Sequence, residues 1–341
     1  MFSSAPRMTP VIRSLIRALL AGALLLGPFA GYRRAAVEAR PAAARVIRTA
    51  RPAVVRVRAT GPMAQEAGTG FLVAGQGGGS DGTQQVITNH HVIWGASSIS
   101  IELSGGAVIQ ADVVGSDAAT DLALLRPRAP LRGMQPLSLG DDRSVQVGDQ
   151  VVAIGNPGGI AGAASVGIVS ARGKVPRPTV AAQAFVEYLF TDTLVAAGSS
   201  GGPVLSLDGR VIGVEVALAG QSGGLAIVIP ARLVAAVVAG LERAGTARHA
   251  WSGLRVAGEP DGPIRVTSCA RGCDAYAVKV GDEISSVDGE RIPDARELEW
   301  RAFISQPGTR WNLDVVRGGR RMPASVELRP ITQEDFVAAG D

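Results

Sequence analysis

Three residue types that cooperate in acyl transfer stand in short, distinctive frames along this chain. They are His91 in Thr88-Asn89-His90-His91-Val92, Asp121 in Thr120-Asp121-Leu122-Ala123-Leu124-Leu125, and Ser200 in Gly198-Ser199-Ser200-Gly201-Gly202-Pro203. A serine hydroxyl is a weak nucleophile until an imidazole takes its proton, and a carboxylate behind the imidazole orients it and stabilises its charged form. The carbonyl oxygen under attack becomes an anion that needs fixed N–H donors. The backbone amides of Gly198 and Ser200 can converge on one point only if the turn through Ser199 is tight, which glycine permits. Gly201 and Gly202 read as room for a substrate backbone to approach. The bland alternative is a glycine-rich hairpin turn, and the ordered His and Asp motifs upstream argue against it.

The order His, Asp, Ser is that of chymotrypsin-like double barrels, and the motifs resemble those of the HtrA/DegP family of trypsin-like serine proteases. That family writes its histidine as Thr-Asn-x-His-Val, which selects His91 and leaves His90 variable. Its aspartate motif matches Asp117 to Leu125 and selects Asp121 rather than Asp117. Further matches are Gly70-Phe71-Leu72-Val73, Ala153-Ile154-Gly155-Asn156-Pro157, Gly167-Ile168-Val169-Ser170-Ala171, Thr191-Asp192 and Ala226-Ile227-Val228-Ile229-Pro230. One departure stands out: Thr193, Leu194, Val195, Ala196, Ala197, Gly198 and Ser199 replace a loop that in the family carries two Asn and a Pro. How the loop before Ser200 is held is therefore open.

The resemblance implies a mainly β protein with two six-stranded barrels, acting as an exported serine endopeptidase on unfolded or misfolded proteins and peptides. Ser200 would be the nucleophile, His91 the general base and then acid, and Asp121 the orienting carboxylate. The loop of Gly198, Ser199 and Ser200 would form the oxyanion hole, with no metal and no cofactor. Leu194 stands six residues before the nucleophile, and with Val195 and Leu218 it implies an apolar specificity pocket. Cleavage after small or medium apolar residues, not after Lys or Arg, is the expectation. The reading from another class is a catalytically silent peptide-binding or chaperone protein on the same scaffold.

The elements that would position these residues are legible in the patterning. At 341 residues with 46% hydrophobic content the chain is long enough for such a core plus a smaller domain. Alternating runs at 98–103 and 210–216 read as strands, as does a first strand near 53–57. Leu233, Val234, Val237, Val238 and Leu241 recur at helical spacing between Ala231 and Ala244. The glycine-rich stretch Gly75 to Gly82 lacks the Gly-Lys-Ser/Thr ending of a phosphate loop and reads as a hairpin connection. The expected organisation is a protease domain at 51–245, a PDZ-like domain at 250–330 and a tail at 331–341.

The PDZ-like reading rests on Trp251-Ser252-Gly253-Leu254, Gly281-Asp282-Glu283-Ile284, Val287-Asp288-Gly289 and Gly308. In that resemblance Trp251, Ser252, Gly253 and Leu254 form the loop that captures peptide C-termini as they add a strand. A docked β-rich cap that binds nothing is the competing reading. Because every candidate triad and oxyanion residue lies before Pro203, residues from about 250 onward are expected to regulate rather than catalyse.

Of the 34 basic residues, eleven fall in the first sixty positions, against the single acid Glu38, so the rest of the chain is net acidic and nucleic-acid binding is not supported. Arg7, Arg13 and Arg17 precede an apolar run from Ala18 to Ala30, so residues 1–31 read as a signal peptide or an uncleaved membrane anchor, followed by a linker at 32–50. Export to the periplasm or cell envelope follows from either. Cys269 and Cys273 fit a short disulfide or two free thiols; zinc is improbable because no second pair exists. His249 reads as a solvated linker residue. Related proteases form trimers through N-terminal aromatic contacts, whereas Tyr32 is the sole aromatic between positions 31 and 60, so homo-oligomerisation stays open.

Overall fold

Antiparallel strand pairing closes two β-barrels, most of whose strands are buried on both faces. The computed structural model describes residues 42–61, 67–75, 84–175, 180, 182, 185–216, 224–258, 261–270 and 277–332. The first barrel is built from β1 (Val54–Thr60), β2 (Gly68–Ala74), β3 (Gln84–Thr88), β4 (Ser98–Glu102), β5 (Val108–Asp117) and β6 (Leu122–Pro127), in the order β1-β2-β3-β6-β5-β4. Val55, Val57, Leu72, Val86, Ile101, Ala123 and Leu125 fill its interior, two residues apart on β1 and on β6, as strand geometry dictates. The second barrel has the order β10-β11-β12-β9-β8-β7. Its strands are β7 (Gln150–Gly155), β8 (Ala163–Gly173), β9 (Tyr188–Thr191), β10 (Pro203–Ser206), β11 (Val211–Val216) and β12 (Ala226–Pro230). Val151, Ala153, Val169, Leu189, Val204, Ile212 and Val228 form its core. Closure leaves neither barrel an open edge.

Part of the segment expected as a linker is helical. Helix α1 (Ala42–Ala50) buries Val46 and Ala50, four residues apart on one face, and its alanines favour the helix. A 3₁₀ turn at Arg51–Ala53 with Pro52 in its first positions ends it and feeds β1. Among the described residues no helix is long and apolar enough to cross a membrane. The Ala18 to Ala30 run lies outside them.

The histidine and aspartate frames are carried by the first barrel and the serine frame by the second. A four-residue helix α2 (His90–Ile93) follows β3. Helix α3 (Ala231–Ala244) follows β12 and packs on β5 and β6 of one barrel and on β11 and β12 of the other. Gly245 ends it in the left-handed region, at φ 69°, with its N–H on the Leu241 carbonyl at 2.8 Å. β5 comes so close to this cap that a Cβ on Gly115 would lie 2.4 Å from the Gly245 carbonyl oxygen.

The C-terminal unit is α+β. Strands β14 (Leu254–Ala257), β15 (Ile264–Cys269), β16 (Glu283–Val287), β18 (Arg310–Arg317) and β19 (Arg320–Glu327) form an antiparallel sheet, with β17 (Glu290–Arg291) beside β16. β13 (Ala250–Trp251) pairs with β20 (Arg329–Pro330). Helix α4 (Ala295–Ile304) is N-capped by Asp294, whose carboxylate accepts the Glu297 N–H at 2.8 Å.

His249 is not solvated. Its side chain is 8% exposed, Nε2 lies 2.7 Å from Asp117 Oδ2, Nδ1 lies 3.3 Å from the Phe303 carbonyl oxygen, and the ring stacks on Phe303 at 4.3 Å. The reason is Asp117 itself, a buried carboxylate at the end of β5 that needs donors. Burial raises its pKa, but hydrogen bonds from His249, Thr120 and the Ala119 amide outweigh that and hold it below the usual carboxylate range. His249→Ala would leave this carboxylate short of its strongest donor. Urea unfolding should show a loss of about 1–3 kcal/mol, and an unchanged midpoint would refute the pairing.

Candidate active site

His91 and Asp121 are locked together by backbone and side chain at once. The His91 N–H donates to Asp121 Oδ1 at 2.9 Å and its Nδ1 lies 2.7 Å from Oδ2. The Asp121 carbonyl accepts from Asn89 Nδ2 at 2.8 Å and from the His90 N–H at 3.1 Å. To present both groups Asp121 adopts φ 60°, a left-handed conformation that Asp and Asn tolerate better than most residues. A carboxylate only accepts, so Nδ1 must carry a proton; in the neutral ring Nε2 is then the basic nitrogen. His90 shares the helical turn, but its Nδ1 is buried without a protein hydrogen bond.

The serine turn is built by its neighbours. The Ser200 carbonyl accepts the Thr69 N–H at 2.8 Å, the Gly201 N–H reaches the Glu215 carbonyl at 2.9 Å, and the Gly202 N–H reaches the Ser199 carbonyl at 2.9 Å. Gly198 and Gly201 have φ 96° and 86°. A Cβ on Gly201 would sit 2.2 Å from the Thr69 carbonyl oxygen, and one on Gly202 2.6 Å from that of Ile154. Glycine at these two positions is therefore required by the approach of β2 and β7, and the expectation that it makes room for substrate is corrected.

The same neighbours hold the loop that lacks the usual Asn and Pro. Thr69 Oγ1 donates to the Gly198 carbonyl at 2.6 Å and accepts the Asn156 N–H at 2.9 Å. The Gly158 N–H takes the Ala197 carbonyl at 2.9 Å, and Asn156 is tied through Oδ1 to the Gly162 N–H and through Nδ2 to the Val55 carbonyl. Both carbonyls flanking Gly198 are thus occupied, which fixes the two peptide planes. The Ser199 N–H is spent on the Ala196 carbonyl at 2.9 Å, so Ser199 contributes no free amide to the expected oxyanion loop. Thr69→Val removes the hydroxyl and keeps the shape. It is expected to lower kcat by about 10- to 100-fold with a smaller change in KM, and an unchanged kcat would show that the loop holds itself.

Beside Ser199 lies a cavity of about 30 Å³ lined by small residues of β7 and β8, by Leu194 and by Glu215. Leu194 is 65% exposed at its rim, so it does not form a buried base. Val195 is half-buried, and Leu218 lies outside the described residues. Asp192 is turned to β8, where its Oδ1 accepts the Ile168 N–H at 2.7 Å. Glu215 was not anticipated. It is buried in β11, its Oε1 has no hydrogen-bond partner, and burial pushes its carboxyl up to about 8. The one available signal was a lone charge in the apolar run Val-Ile-Gly-Val-Glu-Val.

The expected peptide loop is closed over. Trp251, Ser252, Gly253 and Leu254 are buried, the Trp251 Nε1 donates to the Leu254 carbonyl at 3.0 Å, and Ser252 Oγ takes the Leu254 N–H at 3.3 Å. Phe185, which precedes β9, packs on Trp251 at 5.7 Å, and the Arg255 and Arg329 guanidinium groups lie over the same indole. Cys269 is disulfide-bonded; Cys273 lies outside the described residues.

Residues 68–214 match the model of the trypsin-like peptidase domain. A probable periplasmic serine endoprotease, DegP-like, from Bartonella henselae is 34% identical over 289 residues, which cover 80% of this chain and 55% of that relative. A relative of the same description from Pseudomonas fulva is 30% identical over 288 residues, covering 80% and 57%. The chain thus spans a little over half the length of the curated relatives it matches. Among solved structures, the HtrA-type protease AlgW with a tripeptide is similar at TM-score 0.67 and 26% identity, covering 86% of this chain and 99% of that one. A serine endoprotease from Yersinia pestis is similar at TM-score 0.60 and 26% identity, covering 85% and 98%.

Proposed function

From a chain that carries the trypsin-like peptidase domain and the double-barrel fold of an HtrA-type serine protease, we propose that it hydrolyses peptide bonds in unfolded or misfolded proteins of the cell envelope. Ser200 attacks the scissile carbonyl, His91 Nε2 takes the serine proton and returns it to the leaving amine, and Asp121 holds the imidazole and stabilises its charged form. The amides of Gly198 and Ser200 receive the oxyanion. The observation that carries this reading is the double clamp of Asp121 on the amide and ring of His91. A periplasmic location agrees with the basic, apolar start of the sequence and with the periplasmic relatives.

The 250–330 unit is assigned peptide recognition on its sequence likeness to a PDZ domain, and a similar HtrA-type protease has been solved with a tripeptide. In the closed loop described above, a ligand would have to displace Phe185 or the Ser252 hydroxyl. Peptide C-termini would then act as ligands that open it.

A fluorophosphonate probe tests the proposal. Labelling that disappears in Ser200→Ala supports the protease. Folded protein that stays unlabelled overturns it in favour of a peptide-binding protein on the same scaffold.

A further inference from the structure

Glu215 lies in the wall of the cavity beside Ser199. In β11 it pairs with Val228 of β12, whose side chain belongs to the barrel core, so the Glu215 carboxyl points inward from the same face. It emerges in the cavity shared with Ser199, the residue before the nucleophile, and with Gly155, Ala163, Ala164 and Leu194. Only 2% of the residue is exposed and Oε1 has no partner. A buried carboxyl oxygen left unpaired is costly, and such groups persist where they meet a ligand.

Size and charge narrow the occupant. About 30 Å³ accommodates roughly two or three heavy atoms. That matches the side chain of serine or threonine. Burial also keeps the carboxyl neutral at pH 7, so it offers an O–H donor and an acceptor, which matches a hydroxyl better than a cation.

We propose that Glu215 is a specificity-determining residue that accepts a small hydroxyl side chain, threonine or serine, at the position before the scissile bond. This rests on Ser200 being the nucleophile, and it replaces the wholly apolar pocket expected from Leu194, Val195 and Leu218. Threonine and valine have nearly the same shape, so the choice between them isolates the hydrogen bond from the packing. A site arranged to bond a hydroxyl rejects the isostere that lacks one.

The test uses paired peptides that differ only at that position, as Thr, Val, Lys or Arg, with the full-length chain and with Glu215→Gln and Glu215→Met. Both variants keep the volume of the buried side chain, and only Gln keeps a donor and an acceptor. The wild type is expected to favour Thr over Val in kcat/KM by about tenfold or more, Glu215→Gln to retain the preference, and Glu215→Met to reverse it. A wild type that cleaves after Val as fast as after Thr, or that prefers Lys or Arg, overturns the assignment. So does a Glu215→Met variant with an unchanged Thr to Val ratio. Fluorophosphonate labelling of the same samples separates the two readings: labelled protein with the wrong ratio refutes the role of Glu215, and unlabelled wild type refutes the protease.

Discussion

Ser200→Ala and His91→Ala should each lower kcat by about 10⁵- to 10⁶-fold, and the double variant should be scarcely worse, because nucleophile and base act as one unit. His90→Ala should stay within about tenfold of wild type. The two histidines are adjacent in sequence, yet the Asp121 carboxylate meets the ring of His91 alone, while His90 contributes its backbone N–H to the Asp121 carbonyl. Asp121→Asn is the sharper probe of that geometry. Asparagine tolerates the φ of 60° at this position, so the turn survives, but its amide can donate to Nδ1 and select the wrong tautomer. A loss of about 10⁴-fold in kcat with an unchanged unfolding midpoint is expected. A folded His90→Ala protein as inactive as His91→Ala would move the base to the neighbouring ring.

The second large effect is on stability, and it depends on pH. The Glu215 carboxyl has an ordinary value of 4.5 and is pushed up to about 8 by burial. Between those pH values the folded protein binds a proton there that the unfolded chain does not. Stability therefore falls as pH rises through this window, with a limiting slope of about 1.4 kcal/mol per pH unit from this group. The contribution is fully present below about 4.5 and lost above about 8. Glu215→Gln is neutral at every pH and should lack the slope, matching wild type near pH 4.5 and exceeding it by several kcal/mol at pH 9. Glu299 is also raised by burial, with Lys174 opposing, and would tilt the curve the same way. The difference between wild type and variant cancels that term. Urea unfolding at pH 5, 7 and 9 decides the matter, and parallel curves would mean that the carboxyl finds an unrecognised partner.

The two predictions concern different sets of residues, and only one set was readable in advance. His91, Asp121 and Ser200 sit in frames whose spacing is local: a strand, a short turn, then the chemical group. Alternating isoleucines likewise marked β4, a valine-rich run marked β11, and helical spacing marked α3 to its ends. These features need only the preferences of neighbouring residues. Thr69 and Gly198 are 129 positions apart and His249 and Asp117 are 132 apart, so nothing in either neighbourhood announces the partner. His249 was read by its local composition as solvated and the support of the 193–199 loop was left open, until the folded chain supplied a buried carboxylate for one and a threonine hydroxyl for the other.

By itself, then, the sequence determined the frames of His91, Asp121 and Ser200, their order and the helix that follows the barrels, because periodicity and turn chemistry act over a few residues, while the two-barrel class came from the resemblance of its motifs. Tertiary structure alone decided which way Glu215 faces, since that depends on the register of β11 against β12 and on barrel closure. It also decided that Ser199 spends its amide within the loop, that Gly201 and Gly202 are required by strands passing behind them, and that Trp251 is covered by Phe185. Closed barrels bring distant backbones within van der Waals contact, and at that range a single Cβ or an unpaired carboxyl oxygen determines what the site can hold.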